Sequence, residues 1–424
     1  MILFWMMLIF LVLLFAGMPV AFAMAISGMI AILNLQNVSL LLIPQRMYLS
    51  LDTFPILAVP FFILAGELMN RGGITKRIVD FAEALVGHFR GGLGQVNVVA
   101  NILMAGVSGS ASADAVAIGS VMIPAMVKAG YPARFAAGLT ASAACIGPII
   151  PPSIIMVIYG SLTNLSIGAL FLGGFFPGIL IGIMLMIIVF IYARKNHWQR
   201  SSKASLQHIL RTFLRASWAI FAPVIIVGGI VLGIFTATEA GVVTVVYAFI
   251  VGFFIYKEIK LKDLWDILIR SALFTAVPLI ILSGASVFGW VLARQEFSMN
   301  MTRFIPTLTQ NPYIAYLIIV VILFIVGMCV EALAATIIFI PVLTPIAGAY
   351  GMDPIHFALV VIITMLIGTV TPPVGLQLYI CSTIAQVPVP RVIIWPFVIA
   401  MTAALLIIVY FPPLVTWLPN LAFK

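Results

Sequence analysis

Charge is scarce in this chain. Only 8% of its 424 residues are charged, and acids number 12. A soluble globule carries about a quarter charged residues, so a water-facing surface cannot be covered here. A soluble enzyme, a disordered protein and a nucleic-acid binder are thereby excluded. Cysteine is equally rare. Cys145, Cys329 and Cys381 lie far apart in apolar segments, without a C-x-x-C or Cys/His spacing for metal or redox work, and are expected to be small packing residues. The four histidines (His88, His197, His208, His356) are scattered, and no H-E-x-x-H, nucleophile elbow or P-loop occurs. No nucleotide-driven motor is therefore expected. What the chain has is apolar surface: 64% hydrophobic residues and a mean hydropathy of +1.26. That composition describes an all-α polytopic membrane protein. At about 20 apolar residues per span, the length allows about a dozen crossings.

Apolar runs fall at 2–16, 20–43, 54–69, 95–127, 133–162, 168–193, 218–235, 238–256, 271–292, 313–349, 355–385 and 392–415. The first lacks a basic leader and a small-residue cleavage site, so it is expected to be retained as a helix. Three polar stretches interrupt the runs: Asn70 to Arg90, Arg194 to Arg215 and Lys257 to Arg270. The third alternates charge with Ile259, Leu261, Leu264, Trp265, Ile267 and Leu268, the pattern of an amphipathic helix lying in the membrane interface. The net charge of +9 reflects basic clusters between spans rather than a nucleic-acid surface.

The chain repeats itself. Residues 58–66 read AVPFFILAG and residues 276–284 read AVPLIILSG, an offset of 218. Asp114 stands ten residues before Pro124, and Glu331 stands ten before Pro341, an offset of 217. I-G-P-I-I-P-P at 146–152 matches I-G-T-V-T-P-P at 367–373, an offset of 221. The drift implies an insertion near Ala347–Pro354. The chain therefore divides into a first repeat, 1–200, a basic cytoplasmic linker, 201–216, and a second repeat, 217–424. Each half is expected to hold five crossings plus one re-entrant hairpin, so the odd count inverts the second copy. With the polar stretches, Lys128, Arg134 and Arg391 placed in the cytoplasm, Arg46, Arg294, Arg303 and Lys424 remain outside, as do both termini.

Breaks in mid-membrane point to the site. Glycine and proline free backbone groups that lipid cannot satisfy, and such breaks survive only inside protein or beside a polar cavity. The run 133–162 is broken by Gly147, Pro148, Pro151 and Pro152, and the run 355–385 by Gly368, Thr369, Thr371, Pro372, Pro373 and Gly375. Matching breaks offer carbonyl oxygens for a hard cation such as Na⁺ and helix N-termini for an anion. A hairpin candidate precedes each break. The first, at 95–127, is expected to open to the cytoplasm and carries VSGSASADAVAIGS, with Ser108, Ser110, Ser112 and one acid, Asp114. The second, at 313–345, is expected to open to the periplasm and carries Gly327, Glu331 and Thr336. An ionisable group at such depth is costly, so it is functional, capping or paired. Glu67 is expected to pair with Arg71 one turn on, and Glu239, after Thr236, to cap the next helix. A channel would need a continuous pore around an oligomer axis, and a membrane enzyme would need a nucleophile with a base. Two related breaks in one chain favour alternating access.

At these motifs the sequence resembles the large membrane subunit of tripartite ATP-independent periplasmic (TRAP) transporters. The resemblance rests on PFFILAGELMNRGGIT at 60–75, GHFRGGLGQVNVVAN at 87–101, SGSASADAVAIGSVMIPAM at 108–126, GYPARFAAGLTASAACIGPIIPPS at 130–153, FTATEAGVVTVVYA at 235–248 and GTVTPPVGLQLY at 368–379. One departure is Ala237, where that family's motif usually has proline. The resemblance implies an elevator importer of the bacterial inner membrane, similar in fold to divalent anion/Na⁺ symporters and driven by two or more Na⁺ ions. It implies a small four-helix membrane subunit and a periplasmic substrate-binding protein as partners. The substrate would be an organic acid such as sialic acid or a C4-dicarboxylate. One implied Na⁺ site uses Ser108, Ser110, Ser112 and carbonyls near Gly147 and Pro151; the other uses Gly327, Gly368, Thr371 and nearby carbonyls. Substrate contacts are expected from Ser110, Ser112, Asp114, Pro151, Pro152, Glu331, Thr336, Pro372 and Pro373.

Overall fold

A computed structural model describes residues 1–36, 38–198 and 201–423. Arg200 of the second polar stretch and Lys424, both used in the charge argument, lie outside the described residues. The helices are α1 (Ile2–Phe15), α2 (Val20–Leu33), α3 (Leu42–Leu49), α4 (Ala58–Arg71), α5 (Ile74–Val86), α6 (Gly92–Ser108), α7 (Ala111–Lys128), α8 (Ala133–Ala144), α9 (Ile154–Thr163) and α10 (Ile167–Asn196). They continue as α11 (Leu206–Val231), α12 (Ala237–Ile250), α13 (Leu261–Arg294), α14 (Phe297–Leu308), α15 (Pro312–Gly327), α16 (Ala332–Ala349), α17 (Pro354–Gly368), α18 (Leu376–Ala385), α19 (Trp395–Tyr410) and α20 (Pro413–Ala422). Among the described residues, seven helices are long and apolar enough to cross a membrane, or up to nine if each bent pair is one span. The chain is an all-α, multi-pass membrane protein. The shorter apolar helices include α9 of the first interrupted run and both α17 and α18 of the second.

Helix starts follow side-chain chemistry. Ser110, Ser153, Ser166 and Ser205 each accept a bond from a backbone N–H of the first turn. Thr236 and Glu239 form a full capping box on α12, which gives Glu239 the capping role read from the sequence. Ala237 takes the first helical position, where proline is also accommodated, so the departure at this residue leaves the cap intact.

Other expectations change. The stretch 257–270 is not a separate interfacial helix, because α13 runs on without interruption for 34 residues. No glycine or proline stands between Leu261 and Val277 to stop it, and Asp263 accepts a bond from the Lys260 N–H at its start. At about 50 Å, α13 exceeds the hydrocarbon thickness, so its charged first turns extend beyond it. The first polar stretch contains α5, whose Ile74, Ile78, Phe81 and Ala82 are buried. Arg71 pairs with Asp266, not Glu67, and Arg270 joins the same carboxylate at 3.0 Å. Cys329 is exposed, while Cys145 and Cys381 are packing residues.

The register between the halves also shifts. Helices α7 and α16 have the same length and are offset by 221, as are the starts of α8 and α17. Helices α2 and α12 are offset by 217. The extra residues therefore lie before the hairpins, not near Ala347–Pro354. In this register Glu331 matches Ser110, both being N-caps. Asp114 sits in the fourth position of its helix and has no acidic counterpart.

Packing is reciprocal. Helix α2 packs on α13 while α12 packs on α4; α7 packs on α18 while α16 packs on α9. The most enclosed segments are 135–160 and 356–371, in which every residue is buried. The core of the molecule is thus the pair of interrupted helices.

Candidate functional site

Two breaks meet at this core: Cys145 to Ser153 between α8 and α9, and Thr369 to Gly375 between α17 and α18. The Cys145 thiol donates to the Leu366 carbonyl at 3.4 Å and lies 3.9 Å from the Thr369 hydroxyl. Pro151–Pro152 and Pro372–Pro373 are both cis. Ser153 restarts the first helix by capping Met156 N–H, and its hydroxyl donates to the Pro148 carbonyl at 2.5 Å. The released backbone groups are thus partly satisfied within the break itself.

The first hairpin turns at Gly109 and Ser110. Gly109 has φ +60°, and a methyl group there would stand 2.5 Å from the Pro152 carbonyl oxygen. Glycine is required on both counts, and the close approach seats the tip directly on the first break. Ser108 is buried and its hydroxyl accepts from the Ser110 N–H at 3.4 Å. Ser110 caps α7, and Ser112 accepts from Gln377 Nε2 at 3.4 Å, tying the first hairpin to the second half. Asp114 is fully buried, and neither carboxylate oxygen has a hydrogen-bond partner; Ser108 approaches without completing one. A methyl group at Gly147 would run into Asp114 Oδ2, so the acid lies against the break.

The second hairpin is built from backbone contacts. A methyl group at Gly368 would stand 2.5 Å from Gly327 C and 2.6 Å from its Cα. The N–H groups of Val374 and Gly375 both approach the Met328 carbonyl, at 3.3 and 3.5 Å. Thr371 is buried and donates back to the Ile367 carbonyl of α17, 2.8 Å away. Pro151 and Pro152 are buried, whereas Pro372 is half-buried and Pro373 exposed. The two breaks therefore share a backbone plan but not an environment. Glu331 caps α16 through the Ala334 N–H at 3.0 Å, and the Thr336 hydroxyl is spent on Ala332 O at 2.7 Å. These two side chains are engaged by their own helix.

Several polar residues escaped the sequence reading. Asn97 donates to Thr140 at 2.6 Å and Asn101 donates to Asn97 Oδ1 at 2.9 Å, all three fully buried. Buried oxygens without donors include Asn101 Oδ1, Ser142 Oγ and Gln377 Oε1 as well as both of Asp114. The signal was present as Asn97 and Asn101 four apart in an apolar run, and as Gln377 just past a break. Among the described residues no cluster of three or more His, Cys, Asp or Glu side chains is placed to hold a metal. A hard cation at this core would instead draw on hydroxyl, amide and carbonyl oxygens.

The family model "Tripartite ATP-independent periplasmic transporter, DctM component" matches residues 7–414. The chain belongs to this DctM family. It is 39% identical over 411 residues to the sialic acid TRAP transporter large permease protein SiaM of Vibrio cholerae, covering 96% of each chain. It is 39% identical over 401 residues to the 2,3-diketo-L-gulonate TRAP transporter large permease protein YiaN of Escherichia coli, covering 94% of each. It is 35% identical over 425 residues to the C4-dicarboxylate TRAP transporter large permease protein DctM of Rhodobacter capsulatus, covering 96% of this chain and 97% of that one. In fold it resembles the YdaH transporter of Alcanivorax borkumensis, with a TM-score of 0.59 at 13% identity, covering 87% of this chain and 88% of that one. As a DctM-family permease, the chain is a transport subunit and not an enzyme.

Proposed function

We propose that this DctM-family chain is the large permease subunit of a Na⁺-coupled importer of organic acids in the bacterial inner membrane. The named relatives take sialic acid, 2,3-diketo-L-gulonate or C4-dicarboxylates, all carboxylates. A small four-helix membrane subunit and a periplasmic binding protein complete the system, the latter delivering the acid. The supporting observation is the pair of hairpin tips seated on two broken helices, with buried oxygens lacking donors beside the first. Such acceptors cost stability when left unpaired, and a hard cation satisfies them without a donor.

Ser108, Ser110, Ser112 and the carbonyls near Gly147 and Pro151 would hold one ion; Gly327, Gly368, Thr371 and adjacent carbonyls would hold the other. A bound cation supplies positive charge that a carboxylate substrate can share. The half-exposed Pro372–Pro373 edge and the capping serines leave polar backbone open to that substrate. Pro151, Pro152, Glu331 and Thr336 shape the surrounding walls, and Asp114 sets the charge beside the first break. Relative movement of the hairpin–break body against the helices around α4 and α13 gives elevator-type alternating access between a cytoplasm-opening first hairpin and a periplasm-opening second one.

The orientation draws support from the polar stretches. Arg71–Asp266 and Arg77–Glu258 join the first to the third, and Ser201 N–H bonds the Gly87 carbonyl to bring in the second. All three share one face, which supports the cytoplasmic placement from which periplasmic termini are proposed. Uptake into proteoliposomes containing the chain, its small subunit and the binding protein tests the reading. Saturable uptake that requires a Na⁺ gradient and ignores ATP is expected; undiminished uptake without Na⁺ overturns it.

A further inference from the structure

A cavity of about 720 Å³ lies away from the two breaks, between α3, the C-terminal turns of α13, α9 and α16. Arg46 of α3 and Arg294 of α13 line it, together with Glu296 and Trp290, and Leu162 and Pro341 close the far wall. The two arginines are 248 positions apart in sequence. Neither makes an ion pair or a side-chain hydrogen bond among the described residues, whereas Arg71, Arg77 and Arg270 on the opposite face are all paired. Basic residues are few on the Arg46 face, so two converging on one cavity is a specific arrangement.

We propose that this cavity binds a small organic carboxylate, its charged end on Arg46 and Arg294 and its body against Trp290. Guanidinium groups bind carboxylates with paired, directional hydrogen bonds, and two of them outweigh the single lining carboxylate of Glu296. At about 720 Å³, and open on one side, a pocket lined by four separate helices has room for a small acid. The periplasmic placement, and hence a role in receiving substrate before it reaches the breaks, rests on the transport reading above. Anion binding does not.

Trp290 provides the readout. The chain and its small subunit would be placed in phosphatidylcholine nanodiscs in K⁺ buffer without Na⁺. Quenching by iodide would be compared with quenching by neutral acrylamide, taking the Trp290→Phe protein as the background from the other six tryptophans. Iodide quenching of Trp290 is expected to fall about threefold in Arg46→Gln/Arg294→Gln, to survive in the double Lys variant and to rise in Glu296→Gln. Acrylamide quenching should not change, which shows that the fold is kept. Succinate should protect Trp290 from iodide in the wild type. Iodide quenching indifferent to all three charges overturns the proposal, as does protection by phosphatidylglycerol but not by succinate. Because no Na⁺ and no uptake enter the measurement, its outcome is separable from the failure of Na⁺-coupled transport.

Discussion

Replacing Gly368 by alanine puts the tip–break contact under direct test. The added methyl would meet Gly327 C at 2.5 Å, Gly327 Cα at 2.6 Å and Gly327 O at 3.0 Å. Carbon atoms in contact normally stand about 3.5–4 Å apart, so the hairpin tip must retreat by about 1 Å. The obstructing atoms are all backbone and cannot rotate away. The approaches of Val374 and Gly375 N–H to Met328 O, already 3.3 and 3.5 Å, would lengthen with it. Overpacking of this kind costs about 1–3 kcal/mol. If the closed tip is the cation-competent state, the same energy lowers apparent Na⁺ affinity at that site by a factor of about 5–150. The assay is uptake against Na⁺ at fixed substrate and binding protein, with a parallel thermal melt of the purified protein. Half-maximal Na⁺ should rise, the steepness of the curve should fall, and the melting temperature should drop. Gly147→Ala is an internal contrast, since its methyl meets chiefly the Asp114 side chain, the one backbone atom nearby being Ala144 O at 3.2 Å. In an Asp114→Ala background Gly147→Ala should cost little further stability, while Gly368→Ala should cost its full amount. Wild-type Na⁺ dependence and melting temperature in Gly368→Ala would refute the tight tip–break contact as a functional element.

Asp114→Asn should abolish or severely reduce uptake while raising the melting temperature, because it removes an unpaired buried carboxylate; Glu67→Gln should keep part of the activity. Equal uptake in Asp114→Asn and wild type would remove Asp114 from the site. Glu331→Ala should destabilise by about 1 kcal/mol through loss of the α16 cap, and Glu331→Ser should restore both stability and most of the uptake. A well-folded but inactive Glu331→Ser protein would show that the charge, not the cap, is what the site needs.

The fold class was legible because it depends on composition and on runs of about membrane length, which no local contact can reverse. The breaks were legible for a similar reason: Gly147 to Pro152 and Gly368 to Gly375 cannot continue a helix, and the structure interrupts helices in both stretches. Register was harder. Matching Asp114 to Glu331 relied on two acids at equal distances from prolines, but Pro345 is as available as Pro341, and only the helix caps decide between them. The polar stretch holding α5 concealed a helix because its charges dominate the average, although its apolar residues fall on one face. The continuity of α13 was hidden by the change in polarity at Arg270, which sets where the helix leaves the membrane rather than where it ends.

The corrected register has a functional consequence. With Glu331 facing Ser110 across the repeat, the second half has no partner for Asp114, whose equivalent position is Ala335. The first break is fully buried and carries a carboxylate with no hydrogen-bond partner; the second is partly exposed and is held by glycine contacts and by N–H approaches to Met328 O. A repeated backbone therefore carries two electrostatic environments. A cation beside the first break can displace the proton of the buried Asp114 carboxyl and then meets its charge at low dielectric, where attraction is strong and hydration is lost. A cation beside the second meets only dipoles, next to the exposed Pro373 edge. The two candidate sites should accordingly differ in affinity and in order of filling, with the first break binding more tightly and the second left to respond to the arrival of the organic acid.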